Sequence, residues 1–430
     1  MENNAVEALY PIVFRRDDAS ELGKYIKSRQ SVVLIGMKRV GISNFLRFFI
    51  NHKNIADTYI DGSANHLFIP IDLNDLVELD IYPFWTLTLK RIVDVLEKTS
   101  LNQEIKKKIQ ALFLDSIQSQ DPFITTDCVR KSLVEFVENG ILPTLFFIRF
   151  DRIKDAVTSE FFANLQGIRD AAHHRLCFVF TSFRSLDALC PNVFAKTSLS
   201  AFSRNLYIKP AKKEDTKIIF KMYRGHSKVN LSMGEERDLF DAVDGYVQYL
   251  QLALISLTEN KSVKQGNIFK YLLRDERITL ASEELWESLN GEEKSILTKI
   301  AKKDSISKED KEKNKYLWDT GFIVEENSKG RLFSPLFDDY VSQMQEKHSN
   351  SVLEFTKKEN LLFNYLKENH DLICEREQIV STVWPEVEEL GVSDWAIDRL
   401  VARVRSKLKH QGNHFEIKTV KTRGYKLVEL

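Results

Sequence analysis

The sequence is short of several things, and each shortage removes a class of function. Four cysteines occur among 430 residues, at Cys128, Cys177, Cys190 and Cys374. No two of them form a C-x-x-C pair, so neither a zinc site nor a disulfide framework is indicated, and a reducing, cytoplasmic setting is the simple expectation. An excess of one charge is also missing: 62 basic and 62 acidic residues leave a formal net charge of zero. Any grip on nucleic acid must therefore come from a local patch rather than a global field. The longest apolar runs, such as PTLFFI and LCFVFT, fall far short of the roughly 20 residues that span a bilayer. The stretch MENNAVEALYPIVFRRDDASE lacks the basic start and apolar run of a secretory signal. A soluble protein with no membrane partner is expected. G-x-S-x-G and H-E-x-x-H do not occur, and no carboxylates pair in the manner of a glycosidase. His173-His174 has no carboxylate at metal spacing and reads as a surface pair, while Cys177 and Cys190 read as buried thiols.

What is present describes several domains. The length favours two to four, and 43% hydrophobic with 29% charged residues is ordinary for a globular protein. SVVLI (31–35) is a continuous apolar run of the kind that forms a buried parallel strand. HLFIPIDL (66–73), TLFFIRFD (144–151), RLCFVFTS (175–182) and NLYIKP (205–210) are further strand candidates. Helical patterns alternate with them, including one over 84–117, and this alternation implies a doubly wound parallel sheet. Ligands in such sheets sit at the carboxyl ends of the strands, the edge where Gly36, Asp151 and Thr181 or Ser182 fall.

The first of those ends carries GMKRVGIS (36–43), followed by the helical NFLRFF. The pattern G-x-x-x-x-G-K-[ST] marks a loop whose amides cradle phosphates, whose lysine reaches the β- and γ-phosphates, and whose hydroxyl holds Mg²⁺. Gly36, Gly41 and Ser43 are in register, but Ile42 stands where the lysine belongs. Lys38 and Arg39 share the loop at positions expected to point outward, and Asp151 can supply a Mg²⁺-side carboxylate. Arg152 follows it where a water-orienting glutamate would stand. Hydrolysis is not expected. Two readings of Gly36, Lys38, Arg39, Gly41, Ser43 and Asp151 stay open: a vestigial site for ATP or ADP, since helix-terminal amides still bind anions, or a tight turn and nothing more.

From about residue 211 the strands stop and a helical lid is expected to residue 280. Residues 281–345 show helices and then a hairpin around Asn327, Lys329 and Gly330, the layout of a small winged helix. KKDSISKEDKEKNK (302–315) reads as a solvated helix and loop, and EKHSNS (346–351) as a linker.

The last unit, 352–430, is the most informative. SDWAIDRLVARVRSKLKH (393–410) opens on Ser393, a good N-cap. Ile397, Leu400, Val401, Val404 and Leu408 recur at helical spacing and mark a buried face. The other face carries Arg399, Arg403, Arg405 and Lys407. Lys421 and Arg423 punctuate the hairpin that follows, and across 395–428 the only acidic residues are Asp398 and Glu416. A basic helix beside a basic hairpin suits a helix in the major groove of double-stranded DNA with a wing on the backbone. Trp384, Trp395, Ile397 and Tyr425 read as core.

Phe355-Thr356, Glu359, Arg376-Glu377-Gln378, Val383-Trp384, Ser393 to Leu408 and Thr419 to Tyr425 together resemble the OmpR/PhoB-type winged-helix DNA-binding domain from end to end. The resemblance implies DNA contacts from Arg399, Arg403 and Arg405 on the recognition helix and places Lys421 and Arg423 in the wing; Lys407 joins the candidate DNA contacts as part of the same basic face. Thr422 replaces a glycine usual in that wing. The first half, through VFRRDDASEL, VVLIGMKRVGISNFL, TLFFIRFD and CFVFTS, resembles STAND-type, AAA-like P-loop ATPases. There DGYVQYLQLAL has Gly245-Tyr246-Val247 in place of a Gly-x-Pro element. The implied architecture is a degenerate α/β P-loop NTPase-like domain (1–210), a helical lid (211–280), a middle winged helix (281–345) and a DNA-binding winged helix (352–430). The implied function is a DNA-binding regulator whose ATPase-like half serves self-association or binds a protein partner. The rival is a STAND-type signalling or defence protein switched by ATP or ADP, with the winged helix as adapter.

Overall fold

The computed structural model describes residues 6–194, 202, 204–224, 231–259, 268–326, 329–349, 355–384, 394–410, 414–420 and 423–429. Five strands, β1 (Val32–Ile35), β2 (Asn65–Asp72), β3 (Ile141–Ile148), β4 (Cys177–Ser182) and β5 (Asn205–Tyr207), form one parallel sheet in the order β2-β3-β4-β1-β5. The chain leaves β1 for the far edge, returns through β3 and β4, and crosses to β5 on the other side of β1. The register aligns Asp72 with Ile148 and Ile35 with Ser182 and Tyr207, so the strand ends form one rim.

The sheet is covered on both faces because β1 has no polar side. Val32 and Leu34 enter one core with Phe45, Phe48 and Phe49 of the loop helix (Ile42–Asn51). Val33 and Ile35 enter a second with Phe84, Trp85 and Phe180. Each of these rings is essentially fully buried and stabilises the fold by about 1.5–3 kcal/mol relative to exposure. Cys128, Cys177, Cys190 and Cys374 are free and buried, and His173 and His174 are exposed.

Three local expectations are corrected. The helical pattern over 84–117 is two helices, Ile81–Asp94 and Gln103–Ser119, because the Asn102 side chain accepts from the Ile105 N–H and starts a new helix. The third strand stops at Ile148, since Arg149 turns into the left-handed region at φ 60°; Asp151 therefore lies in a short 3-10 turn, Phe150–Ile153, beyond the strand end. The fifth strand is only three residues long.

Beyond the sheet, helices Lys213–Arg224, Met233–Val243, Val247–Glu259 and Ile268–Leu272 lead to an acidic helix, Glu276–Glu287, that runs across position 280. Helices Gly291–Ala301, Lys308–Lys313 and Tyr316–Asp319 follow, then the antiparallel hairpin of β6 (Ile323–Glu326) and β7 (Lys329–Leu332). Lys329 and Gly330 lie in β7; Asn327 lies outside the described residues. This is a winged-helix order, but the unit is not separate. Leu285, Ile296, Leu297, Phe322 and Phe333 belong to the same core as Val32 and Phe48. Arg184, just past β4, clamps Glu293 through two nitrogens at 2.5 and 2.7 Å. The helix Pro335–Ser349 runs through the first four residues of the expected linker.

The C-terminal unit has its own core, with Leu362, Leu366, Ile379, Val401, Val404, Ile417 and Leu427 at its centre. Three helices, Lys357–Glu368, Arg376–Val383 and the recognition helix Asp394–His410, pack on a sheet of order β8-β10-β9: β8 (Cys374–Glu375), β9 (Phe415–Val420) and β10 (Gly424–Glu429). Gly424 is required, because a Cβ there would stand 2.0 Å from the Cys374 carbonyl oxygen. Trp384, Ile397 and Tyr425 are core, as expected. Ser393, Lys421, Thr422 and the side chain of Trp395 lie outside the described residues.

Candidate functional site

Two places carry the chemistry. The first is a cleft of about 720 Å³ at the rim of the parallel sheet. All six residues singled out around the loop, Gly36, Lys38, Arg39, Gly41, Ser43 and Asp151, line it, with Thr181 and Ser182 from the end of β4. The loop is shaped by its glycines. Gly41 has φ 108°, and a Cβ there would meet Val247 Cγ2 at 2.7 Å. A Cβ on Gly36 would stand 2.8 Å from the Ile208 carbonyl oxygen. The first residues of the helix that starts at Ile42 line the cleft, and a helix N-terminus is the end whose free amides bind anions.

The side chains differ from those of a working phosphate site. Arg149 is the residue sequence reasoning missed. Its N–H donates to Thr181 Oγ1 at 2.7 Å. Its guanidinium pairs with both Asp72 oxygens, Nε to Oδ1 at 3.0 Å, and Nη1 donates to Ser43 Oγ at 3.3 Å. A fixed cation thus stands beside the hydroxyl that holds Mg²⁺ in an active loop. The available signal was the lone basic residue in TLFFIRFD. Burial pushes the Asp151 carboxyl above its ordinary value, outweighing its own backbone hydrogen bond and the charges of Lys38, Arg152 and Arg149; such a carboxyl is a poorer cation ligand. Arg39 faces out of the loop, its Nε donating to Glu284 Oε2 of the acidic helix at 2.7 Å. Lys38 Nζ lies 5.5 Å from the Phe183 ring centroid. The lining holds Lys38, Arg39, Arg47, Arg149 and Arg152 against Asp151, Glu284 and Asp398, so cations prevail. Among the described residues no cluster of His, Cys, Asp or Glu is arranged to hold a metal.

The second place is the recognition helix. Thr356 caps the first helix of the unit, reciprocally with Glu359. The Glu359 side chain is fully buried and binds Arg403 Nε at 2.9 Å and Lys407 Nζ at 2.5 Å. Burial raises its pKa, but the Lys407 hydrogen bond, the Thr356 N–H and the Arg403 charge together bring it below the ordinary value. Arg405 donates to the Ile417 carbonyl at 2.7 Å and to Thr419 Oγ1 at 2.8 Å, tying the helix to β9. Asp398 receives Arg376 at 2.5 Å and the Tyr425 hydroxyl. Arg423, immediately before β10, is exposed. Arg399 and Arg403 are turned toward the acidic helix: Arg399 Nη1 is 2.8 Å from Glu287, and Arg403 Nε is 3.3 Å from Glu283. Their side chains keep only 11% and 18% of their exposure.

Comparison with known proteins agrees with both halves. Residues 350–427 match the family described as transcriptional regulatory protein, C terminal, so the tail is an OmpR/PhoB-type winged helix. No curated protein matches the chain. A Walker-type ATPase of Pyrococcus abyssi superposes with a TM-score of 0.51 at 17% identity, over 78% of this chain and 99% of that one. The ORC2 protein of Aeropyrum pernix, in its ADPNP–ADP complexes, gives 0.46 at 13% identity over 80% and 96%. The first of these likenesses shows the fold alone: a five-stranded parallel sheet with helices, of the kind found in P-loop NTPases. No helix among the described residues is long and apolar enough to cross a membrane.

Proposed function

We propose that this chain is a DNA-binding transcriptional regulator in which the C-terminal winged helix engages double-stranded DNA and the P-loop-like half is a non-hydrolysing module for self-association or partner binding. The observation that carries the reading is the tail itself: a winged helix whose third helix sets Arg399, Arg403, Arg405 and Lys407 outside an apolar seam. In the proposal these residues, with Lys421 and Arg423, contact the duplex. Lost turnover is supported by Ile42 at the lysine position, the Arg149 guanidinium at Ser43 and the raised Asp151 carboxyl. A single missing transition-state donor costs roughly 3 kcal/mol, and here several are altered together. Two copies on repeated half-sites give a small reader the affinity one copy lacks.

The test is binding-site selection with the full chain on random duplexes, followed by light scattering of the complex. Enrichment of a repeated motif bound by two or more copies supports the proposal; absence of duplex binding at low ionic strength removes it. A second reading, a switch that binds ATP or ADP without turnover, is favoured by the convergence of the loop residues on one cationic cleft. A rise in thermal midpoint with ATP and Mg²⁺, reduced by Asp151→Ala, would support it.

A further inference from the structure

The recognition helix is covered at Arg399 and Arg403, and what covers it is specific. The acidic helix Glu276–Glu287 carries Glu276, Glu283 and Glu287 at spacings of seven and four, which returns all three to one face. Each meets a cation of the C-terminal unit: Glu276 with Lys358 at 2.8 Å, Glu283 with Arg403 at 3.3 Å and Glu287 with Arg399 at 2.8 Å. The contact joins two independently built cores. Two of its three cations are the arginines assigned above to DNA. The opposing acids lie on a single rigid helix anchored by Ile278, Ala281 and Leu285 in the sheet-domain core. Burial pushes the Glu283 carboxyl up against the pull of Arg403 and Arg399, which marks a closed contact rather than a solvated rim.

We infer that the Glu276–Glu287 helix is a docking surface for this chain's own recognition helix, its carboxylates standing where DNA phosphates stand, so that docking and duplex binding exclude each other. The inference rests on the DNA-binding reading of the tail. Steric and electrostatic grounds agree. Arg399 and Arg403 cannot reach a major groove while they lie against this helix, and a phosphate must displace its carboxylates; Arg403 is held besides by Glu359 of its own unit at 2.9 Å, so undocking releases Arg399 most fully. The affinity of such a chain for DNA is its intrinsic affinity reduced by the fraction undocked. Weakening the docked state tightens DNA binding without touching the reader.

The test uses the full chain. Glu283→Gln with Glu287→Gln keeps size and packing and removes two charges of the contact. Duplex affinity, read by fluorescence anisotropy against the sequence enriched from random duplexes, is expected to rise at least about tenfold. In parallel, Glu276→Cys with Lys358→Cys, bridged by a short bis-maleimide, holds the contact closed while Glu283, Glu287, Arg399 and Arg403 stay intact; the native cysteines are buried. The bridged chain is expected to lose binding that the unbridged double variant retains. Where the two experiments disagree, the bridge decides. If bridged and unbridged chains bind alike, docking does not compete with DNA and the inference fails, while the DNA-binding reading stands. If none of the proteins binds any duplex, that reading fails and takes the inference with it.

Discussion

The cleft and the recognition helix depart from expectation in opposite ways. In the cleft the marked residues come together, but the side chains around them depart from the phosphate-loop pattern. Six marked residues gather around one cavity, yet Ile42 stands at the lysine position and the Arg149 guanidinium donates to Ser43. In the tail the expected basic side chains are on the expected helix, but they are engaged by other groups of the chain. The arginines are all there, but two lie against carboxylates of another unit and a third is tied to β9. A fold keeps backbone geometry when its glycines and core are kept, whereas an ionic site is rewritten by one or two side chains. Arg39 and Asp398 bring the two regions together. Arg39 leaves the loop to bind Glu284 of the acidic helix, and Asp398 of the recognition helix lines the mouth of the cleft.

The comparison can be broken by variants. The largest effect is expected from Glu359→Ala, which removes a capping partner and strands Arg403 and Lys407 around a buried gap. It should destabilise the C-terminal unit by about 3 kcal/mol, seen in a thermal melt as an early transition while the sheet domain melts as before. A single cooperative melt at the wild-type midpoint would show that the cluster is not structural. Next, in the Glu283→Gln/Glu287→Gln background, Arg403→Lys should weaken binding to the selected sequence by about 1–3 kcal/mol if Arg403 reads a base. Loss that is equal across all sequences would reassign it to phosphate. Arg149→Ala should then lower the response of the cleft to inorganic triphosphate, measured as a smaller shift in melting midpoint. An unchanged shift would place the anion elsewhere. The smallest effect is expected from ATP on duplex affinity: an anion in the cleft competes with Glu284 of the acidic helix for Arg39, so a slight tightening should appear in the wild type and vanish in Arg39→Ala.

The parts legible in the sequence were those set by local rules. Apolar runs announced all five sheet strands, glycine spacing announced the loop, and the seam of Ile397, Leu400, Val401, Val404 and Leu408 announced the recognition helix. What escaped had a different physical basis. Arg149 escaped because the strand was read to Asp151, whereas a left-handed residue ends it three positions earlier. The break between Asp94 and Gln103 escaped because it depends on one asparagine cap rather than on a proline. The middle unit's shared core and the acidic dock escaped because both are made of long-range contacts: Glu283 and Arg403 lie 120 positions apart, and nothing in the helical pattern of 276–287 marks its charges as an interface.

The central claim is that the tail reads duplex DNA and is held back by its own chain. It is met most directly by anisotropy titrations of the full wild-type chain and of Glu283→Gln/Glu287→Gln on one selected duplex, over a range of salt. The account predicts about tenfold tighter binding by the variant at low salt, a gain that narrows as salt screens the docking contact, with the affinity of both falling as salt rises, as counterion release requires. Equal affinities for the two proteins at low salt, or affinity indifferent to salt, would contradict it.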